Sequence, residues 1–96
     1  MNDLRFAWDE RKARRNVLKH DVTFEEAASA FFDEHARLIH DADHCGDEER
    51  YLLLGLSAKL RLLVVCHCYR QADQVIRIIS ARKAGKREVE QYGALL

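Results

Sequence analysis

The sequence predicts an α+β domain: two N-terminal helices and one C-terminal helix packed on an antiparallel meander sheet of four strands, or five if residues 4–8 are counted. Three observations lead there. Apolar residues recur at helical spacing in two early stretches and again at the end. Between them lie runs dense in aliphatic and β-branched residues. The connections joining those runs are too short for anything but antiparallel pairing. Ninety-six residues suffice for a single domain with one core, spanning 1–96.

The elements follow in order. "LRFAW" at 4–8 reads as a short first strand, with Trp8 either in the core or free to stack on a base. Asp9 is an N-cap for a helix running to about Lys19, and "KHDV" is the turn after it. "TFEE" is a capping box: Thr23 accepts from the Glu26 N–H, and the Glu26 carboxylate reaches back to Thr23. Phe24, Ala27, Ala28 and Phe31 then form the buried stripe of a second helix. "ARLIHD" at 36–41 reads as a strand and "DADHCGDEE" as a polar loop. "RYLLLGLS" at 50–57 and "LRLLVVCHCYR" at 60–70 are strands about a tight turn at Ala58-Lys59. After "QADQ", the run "VIRIISA" at 75–81 is a further strand. Val89, Tyr92 and Leu96 mark a last helix that starts near Gly85.

At 48% hydrophobic and 33% charged residues, the composition is that of a folded chain and not a disordered one. The longest apolar stretch is interrupted by Gly55, Ser57, Lys59 and Arg61, short of the roughly 20 apolar residues of a membrane span. "MNDLRFAWDERK" has no apolar signal core, so no membrane partner and a cytoplasmic location are expected, with Cys45, Cys66 and Cys68 as reduced thiols.

A net charge of zero hides an asymmetry: residues 1–19 balance at +3, 20–58 at −8 and 59–96 at +5. Either the surface is simply mixed, or the two basic ends meet as one cationic face for an anion. In the second case the acidic middle, with Asp41, Asp43, Asp47, Glu48 and Glu49, is free to dock a basic partner segment.

The basic ends hold the candidate chemistry. Lys12, Asn16 and Lys19 share one helical stripe, flanked by Arg15, beside a buried side marked by Ala13 and Val17. The stripe is either a solvated face or a set of phosphate contacts. Arg77 stands inside an apolar strand, opposite Ile76, Ile78 and Ser80 by alternation, and is costly to bury unpaired. It is an ordinary solvent-face arginine, a partner for an acid such as Glu49, or a bidentate phosphate clamp. Arg82, Lys83, Lys86 and Arg87 crowd the strand end, while Arg61 and His67 share a parity on their strand, on a face that could adjoin Arg77. His20 in its turn is solvated or a proton carrier, since histidine exchanges a proton near neutral pH. Tyr92 packs the last helix on the sheet with its hydroxyl at the rim.

No metal or other cofactor is expected. His35, His40, His44 and the cysteines supply ligand types, but "CHC" on a strand sends Cys66 and Cys68 to one face and His67 to the other. No C-x-x-C, H-E-x-x-H, glycine-rich phosphate loop or G-x-S-x-G elbow is present.

Taken together, "FAWDERKARRNVLKHDVTFEEAASAFFD", "DEERYLLLGLSAKLRLLVVCHCY" and "IRIISARKAGKREVEQY" resemble the BrnT toxins of bacterial type II toxin–antitoxin pairs, over nearly the whole chain. The resemblance implies a RelE-like fold and a metal-independent endoribonuclease that cleaves RNA by 2′-hydroxyl attack and arrests translation. It implies neutralisation by a BrnA-type ribbon-helix-helix antitoxin, with autoregulation of the operon and operator DNA contacted only through the antitoxin. Carried onto this chain, it makes Lys12, Asn16, Lys19, His20, Glu49, Arg50, Arg77, Ser80, Arg82 and Tyr92 candidates for the functional surface. We expect Arg77, Arg82, Lys19, His20 and Tyr92 to be catalytic, and Lys12, Arg15, Asn16, Ser80 and Lys83 to bind RNA. The alternative is a non-catalytic nucleic-acid-binding module on the same basic face. Two positions depart from the family pattern: Asp21 replaces the glycine of a K-H-G turn, and Gly85 replaces a helix-capping threonine.

Overall fold

The computed structural model describes residues 4–45, 48–70, 72 and 74–93, with side chains outside 42–48. Among them the chain runs β1 (Arg5–Ala7), α1 (Glu10–His20), α2 (Phe24–Ser29), a 3-10 turn (Ala30–Phe32), β2 (Arg37–Cys45), β3 (Glu48–Leu56), β4 (Leu62–Arg70), β5 (Val75–Lys83) and α3 (Lys86–Gly93). No helix among the described residues is long and apolar enough to cross a membrane.

The three helices and the α+β class agree with the sequence reading, but the sheet is mixed. Its order is β1-β5-β4-β3-β2. The meander β2–β5 is antiparallel, whereas β1 pairs parallel to β5, with Phe6 opposite Ile76. A tight turn forces antiparallel pairing only between neighbours in sequence. Strands β1 and β5 lie about seventy residues apart, so no short turn constrains their relative direction.

The expected loop "DADHCGDEE" is largely strand. Strands β2 and β3 extend into it, with Asp41 opposite Arg50 and a register shift between Asp41 and His44. Polar residues do not rule out a strand, because a ladder satisfies backbone groups whatever side chains it carries.

One sheet face meets α1, α2 and the 3-10 turn. The core there joins Val22, Phe24, Ala27 and Ala30 to Leu53, Leu63, Val65, Ile76, Ile78 and Ala81. Trp8 packs partly buried against this core, its ring edge-on to Phe24. Gly55 lets β3 pass under the 3-10 turn: a Cβ there would sit 2.8 Å from the Ala30 carbonyl oxygen.

His67 is fully buried on this same face, edge-on to Phe31. Its Nδ1 lies 3.1 Å from the Val65 carbonyl, so that nitrogen carries the proton, and Nε2 accepts from the Tyr69 hydroxyl at 3.2 Å. Burial pushes its pKa below the usual histidine range, against the Val65 hydrogen bond. Cys66 and Cys68 alternate to the other face, as expected. Arg61 and His67 do not adjoin Arg77, however. His67 faces the helices, and Arg61 precedes β4 and turns toward α2.

Candidate nucleic-acid interface

Asp9 caps α1, accepting from the backbone N–H groups of Arg11 and Lys12. At the other end Asp21 takes the left-handed conformation (φ 57°, ψ 38°), and its N–H closes on the Val17 carbonyl at 2.9 Å. Asp21 thus performs the glycine's role, at a conformational cost glycine would not carry. The helix lies along the outer side of β5 beyond the short β1.

Between α1 and β5 runs a groove of about 260 Å³ lined by Lys12, Arg15, Asn16, Lys19, His20, Ile79 and Ser80. Its β5 wall exists because of a bulge. Val65 and Cys66 pair with Ala81 and Ser80, but His67 already pairs with Ile78, so Ile79 is the extra residue. The shift sends Ala81 into the core and Ser80 outward. Simple alternation had set Ser80 opposite Arg77. The bulge instead puts both on the face of Cys66 and Cys68, together with Arg82 opposite Val64. Ser80 is therefore common to the groove and to the arginine-bearing sheet face.

Asn16 is 6% exposed, while Val17, expected on the buried side, is 39% exposed. The Asn16 Nδ2 donates to the Val22 carbonyl at 2.9 Å and to the Ala81 carbonyl at 2.8 Å, and its Oδ1 accepts from the Ala81 N–H at 3.0 Å.

The cations divide into two groups. Arg50 pairs with Asp41 at 3.3 Å. Arg61 holds Glu26, which is also bonded by the Ser57 hydroxyl at 2.7 Å, and reaches the Asp21 carbonyl at 2.9 Å. Arg82 pairs with Glu88. Among the described residues, no hydrogen bond or ion pair engages the side-chain nitrogens of Lys12, Arg15, Lys19 or Arg77. The unengaged charges of the helix stripe line the groove, and Arg77 lies three residues before Ser80 on the adjoining face.

Other predicted site residues lie elsewhere. The Tyr92 hydroxyl donates to Asp33 Oδ2 at 2.6 Å, and this bond raises its pKa to about 12. Burial pushes the Asp33 carboxyl up, but hydrogen bonds from Tyr92 and the N–H groups of Leu56 and His35 outweigh it, leaving the pKa below the usual range. Asp33 borders a larger hollow of about 530 Å³, lined by Ser29, Phe32, Asp33, Glu34, His35, Leu56, Ser57 and Ala58. That lining has two carboxylates and no Lys or Arg, so it suits a polyanion less well than the smaller groove. Lys83 is exposed at the end of β5. Of the acidic residues, Asp41 faces Arg50, and Glu49 accepts from the Tyr51 hydroxyl at 3.2 Å and lies 3.4 Å from His40. Asp47 and the side chains of Asp43 and Glu48 lie outside the described residues.

Two features escaped sequence reasoning. The Glu26–Ser57–Arg61 network replaces the expected reach-back to Thr23, although Thr23 does accept from the Glu26 N–H at 3.0 Å. The signal was a glutamate beside the stripe of Phe24 and Ala27. The bulge at Ile79 had no signal in residue type.

Residues 8–88 match the family model for "Ribonuclease toxin, BrnT, of type II toxin-antitoxin system". A 1.1 Å crystal structure of the Brucella abortus ribonuclease toxin BrnT is similar in fold, with a TM-score of 0.65 at 22% identity, over 86% of this chain and 99% of that one. No curated protein matches.

Proposed function

Because this chain belongs to the BrnT family of ribonuclease toxins of type II toxin–antitoxin systems, we propose that it is a RelE-like endoribonuclease of the cytoplasm that arrests translation by cutting RNA without a metal ion. One observation carries this reading: Lys12, Arg15 and Lys19 converge on a groove with His20 and Ser80, and among the described residues no carboxylate lines it. Such a lining is matched to a phosphodiester, and cations set in place before the reaction stabilise charge that develops on it.

In this mechanism Arg77 holds the scissile phosphate, and Lys12 and Lys19 hold flanking phosphates. Arg15, Ser80 and Lys83 complete the RNA contacts. His20 takes the proton of the 2′-hydroxyl. The 2′-oxygen bonds to phosphorus, the bond to the 5′-oxygen breaks, and that oxygen takes a proton from water as it leaves. The products are a 2′,3′-cyclic phosphate and a 5′-hydroxyl. Arg82 and Tyr92 join the reaction only by exchanging Glu88 and Asp33 for substrate. A BrnA-type ribbon-helix-helix antitoxin neutralises the enzyme by docking on the acidic segment at 41–49, and autoregulation runs through antitoxin bound to operator DNA.

Induced expression of the chain alone is the test, followed by RNA cleavage with the purified protein in EDTA. Growth arrest, fragmented RNA and EDTA-resistant cleavage with cyclic-phosphate ends are expected. RNA that is bound but left intact would establish the non-catalytic binding module instead.

A further inference from the structure

We infer that Asn16 is a positioning residue: its amide acts as a rung of the sheet and fixes the cationic stripe of α1 against the bulge of β5. The inference rests on the ribonuclease reading above and assigns that site an internal support.

Strand β1 ends at Ala7, opposite Arg77, while β5 continues to Lys83. Beyond Arg77 no strand of the described residues lies beside the outer edge of β5. Buried backbone groups on such an edge need partners. Asn16 supplies both to Ala81, accepting from its N–H and donating to its carbonyl, as a neighbouring strand would. The second Nδ2 proton goes to the Val22 carbonyl, which ties the turn after α1 into the same joint.

Both amide protons are therefore spent, and only one lone pair on Oδ1 remains, which a phosphate would repel. Asn16 has no donor left for RNA. Its place in the stripe explains what it does instead. Lys12 lies four residues before it and Lys19 three after, so the joint sits between the two lysines on one helical face. Ala81 directly follows Ser80, and through it the joint holds the bulge that turns Ser80 into the groove. Asparagine is required: aspartate keeps the acceptor but sets a carboxylate against two carbonyls, and alanine provides neither group.

The test compares wild type with Asn16→Ala and Asn16→Asp in the full chain, using a 2′-O-methyl RNA that cannot be cut and its cleavable counterpart. Circular dichroism certifies the fold, and Asn16→Asp serves if Asn16→Ala does not fold. Ala81 amide protection should drop in each variant. Affinity for the uncuttable RNA and its salt slope should stay within about twofold, because the phosphate contacts are elsewhere. The single-turnover cleavage rate should fall by about tenfold or more, as expected when reacting groups lose alignment. An equal loss of affinity and rate would make Asn16 a direct RNA contact. An unchanged rate despite lost Ala81 protection would show the joint to be dispensable.

If wild type binds but does not cut, the nuclease reading fails on its own account. Amide shifts of Lys19 and Ser80 on adding the uncuttable RNA then decide the matter. Shifts lost in the variants support the positioning role, and shifts that persist overturn it.

Discussion

Arg82 and Glu88 meet as a two-point fork: the two terminal nitrogens of the guanidinium lie 2.8 and 2.7 Å from the two carboxylate oxygens. Glu88 also accepts from the Gly85 N–H at 2.7 Å, the backbone half of a capping box whose cap residue has no side chain. The guanidinium beside it, helped by Gly85, brings the Glu88 pKa down to about 2.

Glu88→Gln should therefore release a cation on the sheet face it shares with Ser80. RNA affinity should rise, and the salt dependence of binding should steepen by about one phosphate contact. Stability at neutral pH should drop by about 1 kcal/mol, the upper range for an exposed pair. Because the folded pKa lies below the ordinary carboxylate value, the pair's contribution is whole above about pH 4.5 and is lost as pH falls toward 2. Filter binding across a salt series and pH-dependent unfolding check both statements. Unaltered RNA affinity would separate Arg82 from the interface.

Arg77→Ala removes a cation that no described carboxylate engages, so unfolding temperature should stay near that of wild type. RNA cleavage should fall by about a hundredfold or more, the cost of removing one preorganised transition-state donor. Wild-type cleavage by the folded variant would remove Arg77 from the mechanism.

Arg61→Ala should destabilise the protein by about 3 kcal/mol, because it strands a carboxylate in the interior. The Glu26 side chain is only 2% exposed, and the Arg61 hydrogen bond chiefly holds its pKa below the usual range. The pair's stabilisation is present above the ordinary carboxylate range and fades as pH drops below it. Replacing both residues, Glu26→Leu with Arg61→Met, should recover most of the loss, as tends to happen when a whole buried pair becomes apolar. Urea unfolding of the single and double variants distinguishes a stranded charge from simple loss of packing.

His67 predicts acid sensitivity at milder pH than either carboxylate. Burial makes the folded chain resist protonating this ring, whereas the unfolded chain protonates it below about pH 6.5. Stability is thus complete above that pH and declines beneath it, with a slope approaching about 1.4 kcal/mol per pH unit for one proton. His67→Phe should flatten the limb between about pH 6.5 and 5. An unchanged limb in thermal unfolding across that range would mean another group sets it.

Much of this molecule was legible in the chain. The Asp9 and Thr23 caps, the stripe of Phe24, Ala27, Ala28 and Phe31, and the opposite facing of Cys66 and His67 follow from local periodicity and from side chains that bond their own backbone. The left-handed turn at Asp21 was legible only through the resemblance, which sets a glycine at that place. The direction of β1 was not, since it depends on a partner some seventy residues away. Nor was the role of Asn16, which looked like one more polar position in a basic stripe.

Residue order alone settled the helices and most of the strands, because those choices depend on neighbours a few positions apart, but it missed the strand character of the polar stretch at 41–49. It also settled that cations gather at both ends of the chain. Which of those cations meet a described carboxylate and which do not was decided only when the strands took their register. One extra residue at Ile79 moved Ser80 and Arg82 onto the face of Arg77, and Glu88 then engaged Arg82 while no described carboxylate engages Arg77. The physical reason is that pairing between distant charges is a property of three-dimensional distance, on which a local pattern carries no information.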